Sequence, residues 1–198
     1  MTTFQIIGSD QFVRMPWKNG RGSTEQIVRE DSPDGRMLWR ASLADVTECG
    51  PFSRFDGYER ILTLLGSDGF TLDIDRQSTV LSQPGQSVQF AGEAAVQVTG
   101  IQLPSKDFNI ISLRECVSAT VRSYTASSTV TLSTAIGSAD RLLIVAATGT
   151  WLVYGGYSLA AGSALLITES TDESFSVVGA GLACVAAISV WCSAIQTR

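Results

Sequence analysis

Glu59-Arg60-Ile61-Leu62-Thr63-Leu64-Leu65, a turn at Gly69 and then Phe70-Thr71-Leu72 make up a pattern that the chain repeats. The second copy is Asp140-Arg141-Leu142-Leu143-Ile144-Val145-Ala146, a turn at Gly149 and Thr150-Trp151-Leu152. In each copy an acid and an arginine lead into an apolar run, a glycine follows, and another short run begins. Downstream, the stretch from Gly85 to Phe90 matches Gly162 to Ile167 in length. Repeats of this size can mark duplicated modules. Chance likeness between two apolar β segments is the alternative. Outside the repeat the chain keeps the same texture, as in Trp39 to Leu43 and Phe108 to Leu113, with Gly, Asp, Ser and Pro between the runs. Short runs with such punctuation indicate an all-β sandwich or barrel. No long segment carries a helical stripe, and only Ser133 to Ala139 reads as a short helix or turn. The expected unit is a small antiparallel barrel or jelly roll, which closes on itself and so avoids exposed strand edges. It is expected twice, as lobes 1–117 and 118–198. The intervening Ser/Thr/Ala-rich stretch, 118–138, has β propensity of its own.

The 198 residues include no histidine. Histidine is the commonest metal ligand and the usual proton carrier near neutral pH. A His-ligated zinc or iron site within one chain is therefore excluded, as are Ser-His-Asp and Cys-His nucleophiles. The net charge of −5, with no Lys/Arg cluster, argues against a nucleic-acid partner. The four cysteines, Cys49, Cys116, Cys184 and Cys192, form no CxxC pair. With no basic, apolar leader visible at Met1 to Gln5, they read as reduced thiols of a cytoplasmic protein. Val177 to Ile195 carries no charge and is long enough to span a bilayer. Its Gly179 and Gly181, and its place where the repeat calls for strands, favour core strands instead. The same stretch is a candidate face for a homodimer, because obligate interfaces resemble a core cut in half.

Polar residues crowd the first repeat and the segment before it, so a site is expected there. Trp17-Lys18-Asn19-Gly20-Arg21-Gly22-Ser23-Thr24-Glu25 offers a point charge, an amide and two permissive glycines. A solvated hairpin is the plainer reading of it. In Trp39-Arg40-Ala41-Ser42, strand alternation puts Arg40 and Ser42 on one face. There Arg40 can clamp a carboxylate with two parallel hydrogen bonds, or simply stack on an aromatic at the surface. Glu59 and Arg60 fall on opposite faces. Asp107 and Asn109 share one, although a charge beside an apolar strand is commonly just a solvated end. Glu25, Glu59, Glu93 and Asp107 are the carboxylates available for acid–base work.

Taken in order, these pieces resemble the HutD/Ves family of cupin-fold proteins. They are Trp17-Lys18-Asn19-Gly20 with Gly22, Thr24 and Glu25; Trp39-Arg40-Ala41-Ser42; Gly50-Pro51-Phe52-Ser53 with Phe55 and Gly57; Glu59-Arg60 leading to Leu64-Leu65; Phe90-Ala91-Gly92-Glu93; and Asp107-Phe108-Asn109. The C-terminal part is matched only in β pattern and length. The resemblance implies a bicupin of two small antiparallel, RmlC-like jelly-roll lobes. It implies a protein of bacterial histidine utilisation that binds a small anionic metabolite and regulates rather than catalyses. Carried over by motif, the ligand residues are Lys18, Asn19, Glu25, Arg40, Arg60 and Asn109. A metal-type cupin would show H-x-H followed by Glu; here Ser53 and Phe55 stand where the histidines would fall, with Glu59 as the acid. No metal or other cofactor is therefore expected. Arg21, between Gly20 and Gly22, departs from the commoner Gly-Gly form. The alternative is a metal-independent cupin enzyme using carboxylate acid–base chemistry on a small acid or sugar derivative.

Overall fold

The structure, a computed structural model, describes residues 3–17, 22–135, 140–153, 156–168 and 174–191. Its strands are β1 (Thr3–Ile7), β2 (Val13–Pro16), β3 (Ser23–Asp31), β4 (Met37–Val46), β5 (Gly50–Pro51), β6 (Tyr58–Leu64), β7 (Phe70–Ile74), β8 (Gln77–Leu81) and β9 (Ser87–Ala91). They continue with β10 (Val96–Thr99), β11 (Ser105–Leu113), β12 (Val117–Ala135), β13 (Arg141–Ala146), β14 (Thr150–Val153), β15 (Tyr157–Ala160), β16 (Ser163–Thr168) and β17 (Ser174–Val190). One 3-10 turn, Ser9–Gln11, interrupts them, and no α-helix occurs among the described residues. The all-β expectation holds. The helix or turn expected at Ser133 to Ala139 does not form over Ser133–Ala135, which ends β12; residues 136–139 lie outside the described set.

The chain divides into two compact units, one of Phe12–Val117 with Trp191–Arg198, the other of Met1–Gln11 with Ser118–Val190. The expected lobe 1–117 thus differs at its start. β1 pairs with β16, from Thr3 opposite Thr168 to Ile7 opposite Ala164. Phe4 stacks on Tyr157 with ring centroids 5.0 Å apart, so the first strand covers an apolar edge of the C-terminal sheet. Trp191 returns to the other unit, its N–H donating to the Cys116 carbonyl at 3.0 Å and its indole N–H to the Glu115 carbonyl at 3.1 Å. Cys116 is disulfide-bonded, whereas Cys49 and Cys184 are free, so the expectation of four reduced thiols fails at Cys116.

In the Phe12–Val117 unit a six-stranded sheet, β2-β3-β4-β11-β6-β9, faces a four-stranded sheet, β5-β10-β7-β8. Their shared core brings Val46, Leu62 and Leu64 together with Phe70, Leu72 and Val98. Strand β4 is buried on both faces, with Trp39 and Ala41 fully covered on one and Ser42 on the other. This explains its nearly continuous apolar run, which differs from the clean alternation of a half-solvated strand.

The Met1–Gln11 and Ser118–Val190 unit has the order β1-β16-β13-β17-β14-β15, with β12 also paired to β17. Here one strand does the work of two. Val177–Ala180 of β17 pair with β14, and Ala183–Ile188 pair with β13. In the other unit the same tasks fall to β10 on β7 and β11 on β6. The uncharged run beginning at Val177 is therefore a long core strand as far as Val190. No helix of the described residues is long and apolar enough to cross a membrane.

The two copies of the repeat occupy matching frames. Gly85 N–H donates to the Leu64 carbonyl, and Gly162 N–H to the Ala146 carbonyl, both at 2.7 Å. Both glycines have positive φ, 90° and 79°, a conformation that side chains with a Cβ resist. Leu64 thus corresponds to Ala146. Because Arg60 pairs with Phe90 and Leu142 with Ile167, Arg60 corresponds to Leu142. The sequence match sets Arg60 against Arg141, one residue out of register with this frame. A slip of one residue in a strand exchanges its two faces.

Candidate functional site

The matched frames make the interior of each unit comparable, position by position. Along β6 the inward residues are Arg60, Leu62 and Leu64, and along β11 they are Asp107, Asn109 and Ile111. Their counterparts in the other unit are Leu142, Ile144 and Ala146 on β13, and Ala183, Val185 and Ala187 on β17. The second set forms an apolar core around Trp151. The first set replaces three of those six positions with Arg60, Asp107 and Asn109, which are 6%, 1% and 5% exposed. The barrel frame does not demand polar groups there.

Those groups line a cavity of about 430 Å³ inside the Phe12–Val117 unit. Arg40, Ser42 and Ala44 of β4 supply a second wall, as alternation from Arg40 requires. Met15, Trp17 and Thr24 form another, with the Trp17 indole N–H donating to Thr24 Oγ1 at 2.8 Å. Phe52, Ser53 and Phe55 close the arginine end. Gly92 sets that closure. Its N–H donates to the Tyr58 carbonyl at 2.7 Å, and its carbonyl accepts from the Phe55 N–H at 2.8 Å. A Cβ there would lie 2.2 Å from the Phe55 carbonyl oxygen. Gly92→Ala is expected to push the Phe55 turn away, destabilise by about 1–3 kcal/mol as overpacking does, and weaken ligand binding. Thermal unfolding and a binding titration on the same variant check both effects.

Among the described residues, the two arginines are held without a carboxylate partner in contact. The Arg60 guanidinium lies 5.0, 5.1 and 5.5 Å from the ring centroids of Phe52, Phe90 and Phe55, and donates to the Ser53 carbonyl at 3.2 Å. Arg40 lies 5.4 Å from the Phe55 centroid. Aromatic faces stabilise a cation while leaving its N–H edge available. Among the described residues, Arg40 Nε and Arg60 Nε are buried with no hydrogen-bond partner. Burial lowers the Arg60 pKa to about 10, against the attraction of Asp107 and with some repulsion from Arg40, so Arg60 stays charged at neutral pH. Burial also lowers Arg40, helped by the nearby Arg29.

Asp107 was expected as a solvated strand end or an acid–base candidate. It is instead a fully buried wall residue, with neither carboxyl oxygen hydrogen-bonded. Burial raises its pKa to about 7, while Arg60 and Asn109 pull it down and Asp45 pushes it slightly further up. Asn109 Oδ1 is likewise buried and without a partner.

Of the six residues carried over by motif, the structure brings Arg40, Arg60 and Asn109 together. Glu25 is not with them. It pairs across from Leu43, on the face opposite Thr24 and Ala44, and its carboxylate lies 3.6 Å from Lys106 Nζ. Lys18 and Asn19, with Arg21, lie outside the described residues. The other acid–base candidates are committed elsewhere. Arg114 forks onto Glu93 at 3.0 and 2.8 Å and lies 3.4 Å from Glu59. That fork holds Glu93 down at about 2. Ser53 and Phe55 line the cavity where a metal-type cupin would place histidines, and Glu59 points to the opposite face from Arg60. Among the described residues no three His, Cys, Asp or Glu side chains converge as metal ligands. Ser42, Thr24, Trp17, Phe52 and Asp107 also line the cavity beyond the six carried-over residues; for Asp107, the signal is its shared parity with Asn109.

Residues 9–185 match the family model described as HutD. An uncharacterized 21.2 kDa protein encoded in the hutC 3' region of Pseudomonas putida is 39% identical over 141 residues, covering 67% of this chain and 74% of that protein. Protein Ves of Citrobacter koseri is 35% identical over 107 residues, covering 54% and 56% respectively. The solved structure of HutD from Pseudomonas fluorescens SBW25 superposes with a TM-score of 0.81 at 28% identity, covering 96% of this chain and all of that one. More distant structural neighbours share the cupin-like β architecture. The motif order read along residues 17–109, the strand frame and these matches agree that the chain belongs to the HutD family.

Proposed function

We propose that this protein binds a small carboxylate-bearing metabolite in the Phe12–Val117 cavity and acts as a regulator in histidine utilisation, with its two units as the lobes of a bicupin. The observation that supports this reading is the exchange of apolar for polar residues at matched interior positions, Leu142 for Arg60 and Ala183 and Val185 for Asp107 and Asn109. A buried cation destabilises a fold unless something compensates it. Two guanidiniums with orphaned Nε–H groups, facing one cavity, are compensated by a carboxylate that accepts from both. The link to histidine utilisation comes from the names of the relatives. A binding role is preferred to catalysis because, among the described residues, the cavity lining contains one carboxyl group, Asp107, and paired acid–base work needs two.

Thermal unfolding in the presence of urocanate, formylglutamate, formiminoglutamate, glutamate and histidine tests the reading. A ligand at 100 times its dissociation constant stabilises by about 2.7 kcal/mol. For a chain of this length, that raises the midpoint by roughly 5–10 °C. A selective rise with one of the acids is expected. No rise with any carboxylate would overturn the proposal.

A further inference from the structure

We propose that Asp107 takes up a proton as an anion seats on the Arg40 and Arg60 guanidiniums. The inference rests on the anion-binding reading above and goes beyond it: the site takes an anion together with a proton.

Geometry carries the argument. Asp107 sits on the same inward face of β11 as Asn109 and Ile111, and Ile111 lies directly across from both Arg40 and Arg60. Asp107 is 1% exposed, and neither oxygen accepts a hydrogen bond. Its charged form is therefore held by the field of Arg60 and the neighbouring Asn109 side chain rather than by a formed hydrogen bond. The charged groups around it are Arg60 on β6, and Arg40 and Asp45 on β4; β3 presents the uncharged Thr24. Lys106, next in sequence, points to the other face and pairs with Glu25 and Asp45. Of these groups, Arg60 is the main stabiliser of the Asp107 carboxylate.

An anion on Arg60 cancels that field and adds a like charge within the same small cavity. Two carboxylates sharing one desolvated site do not both stay ionised. The proton goes to Asp107, because a ligand carboxylate seated on two guanidiniums is the better stabilised of the pair. Neutral Asp107 then has an O–H to donate, and the partnerless Asn109 Oδ1 on the same face is an acceptor for it. Proton uptake thus also resolves two orphaned polar groups of the cavity wall.

The test uses 13C-formate, the smallest carboxylate, titrated into the full chain by NMR at pH 6.0, 7.0 and 8.5. Formate itself stays ionised throughout, and so do the arginines. Each unit by which binding raises the Asp107 pKa gives about a tenfold change in affinity. Formate is therefore expected to bind about tenfold or more tightly at pH 6.0 than at pH 8.5. The same series on Asp107→Asn is expected to be flat. Equal formate affinity at pH 6.0 and 8.5 in the unaltered protein would overturn the proton-uptake proposal and leave the anion site standing. Absence of formate binding at every pH would overturn both. The unaltered protein alone decides the matter, whether or not the variant folds.

Discussion

Arg40→Ala is expected to remove about 1.5–3 kcal/mol of carboxylate binding, the worth of hydrogen bonds to a charged group, because the Arg40 side chain is only partly buried. That corresponds to a weakening of about tenfold to somewhat over a hundredfold. Arg40 is the cleaner of the two arginines to alter. Arg60 packs against three phenylalanine rings and holds the Ser53 carbonyl. It also supplies the main attraction on the Asp107 carboxylate. Removing it disturbs packing, a backbone contact and a titration together. Arg40 has Phe55 as its aromatic neighbour and a buried, unpartnered Nε. Arg40→Lys should recover part of the affinity, because an ammonium keeps the charge and loses the planar fork that meets a carboxylate with two bonds. Calorimetry or the thermal-shift midpoint measures either effect. Unchanged affinity in Arg40→Ala would place the ligand elsewhere.

The parts of this site that strand alternation governs could be read from the sequence. Arg40 with Ser42, Asp107 with Asn109, and the opposition of Glu59 to Arg60 all follow from a period of two within one strand, and the structure keeps each of them. What alternation cannot supply is the phase between strands. Glu25 lies in the motif, yet β3 meets β4 with Thr24 opposite Ala44 and Glu25 opposite Leu43. That register turns Thr24 inward and sends Glu25 to Lys106. The repeat failed in the same way. Aligning the acid–Arg pairs looked natural in sequence, but the glycine-to-carbonyl hydrogen bonds fix a frame one residue away. In that frame the second copy has no counterpart to Arg60, and the contrast that marks the functional unit becomes visible. The burial of Asp107 is hidden from the sequence for a related reason. Its burial comes from Ala44 on one side and Leu64 on the other, both distant in sequence. The crossing of β1 into the C-terminal sheet is also a long-range pairing, and nothing local to Thr3–Ile7 announces it.

In the ligand-free protein, Asp107→Asn is expected to stabilise the fold, and to do so more at pH 8 than at pH 5. The Asp107 pKa is raised from 3.8 to about 7 by burial. Between those values the native state holds a proton that the unfolded state has lost. Stability therefore falls as pH rises from about 4 to about 7, and the full penalty is present above that window. A shift of about three units corresponds to roughly 4 kcal/mol as an upper bound. An amide of the same shape does not titrate, so the variant should gain about 2–4 kcal/mol at pH 8 and about 2 kcal/mol less at pH 5. At roughly 2–4 °C per kcal/mol for a chain of this length, the midpoints should separate visibly in the alkaline buffer. If the variant were less stable at both pH values, the Asp107 carboxylate would be a structural partner of Arg60, and the cavity would need no ligand to explain it. The expected gain points the other way. Ala183 shows that the frame accepts an apolar residue at the matched position. A chain that places an acid without a hydrogen bond there, beside an Asn109 Oδ1 and two arginine Nε–H groups that also have none, gives up stability at the site where it meets its ligand.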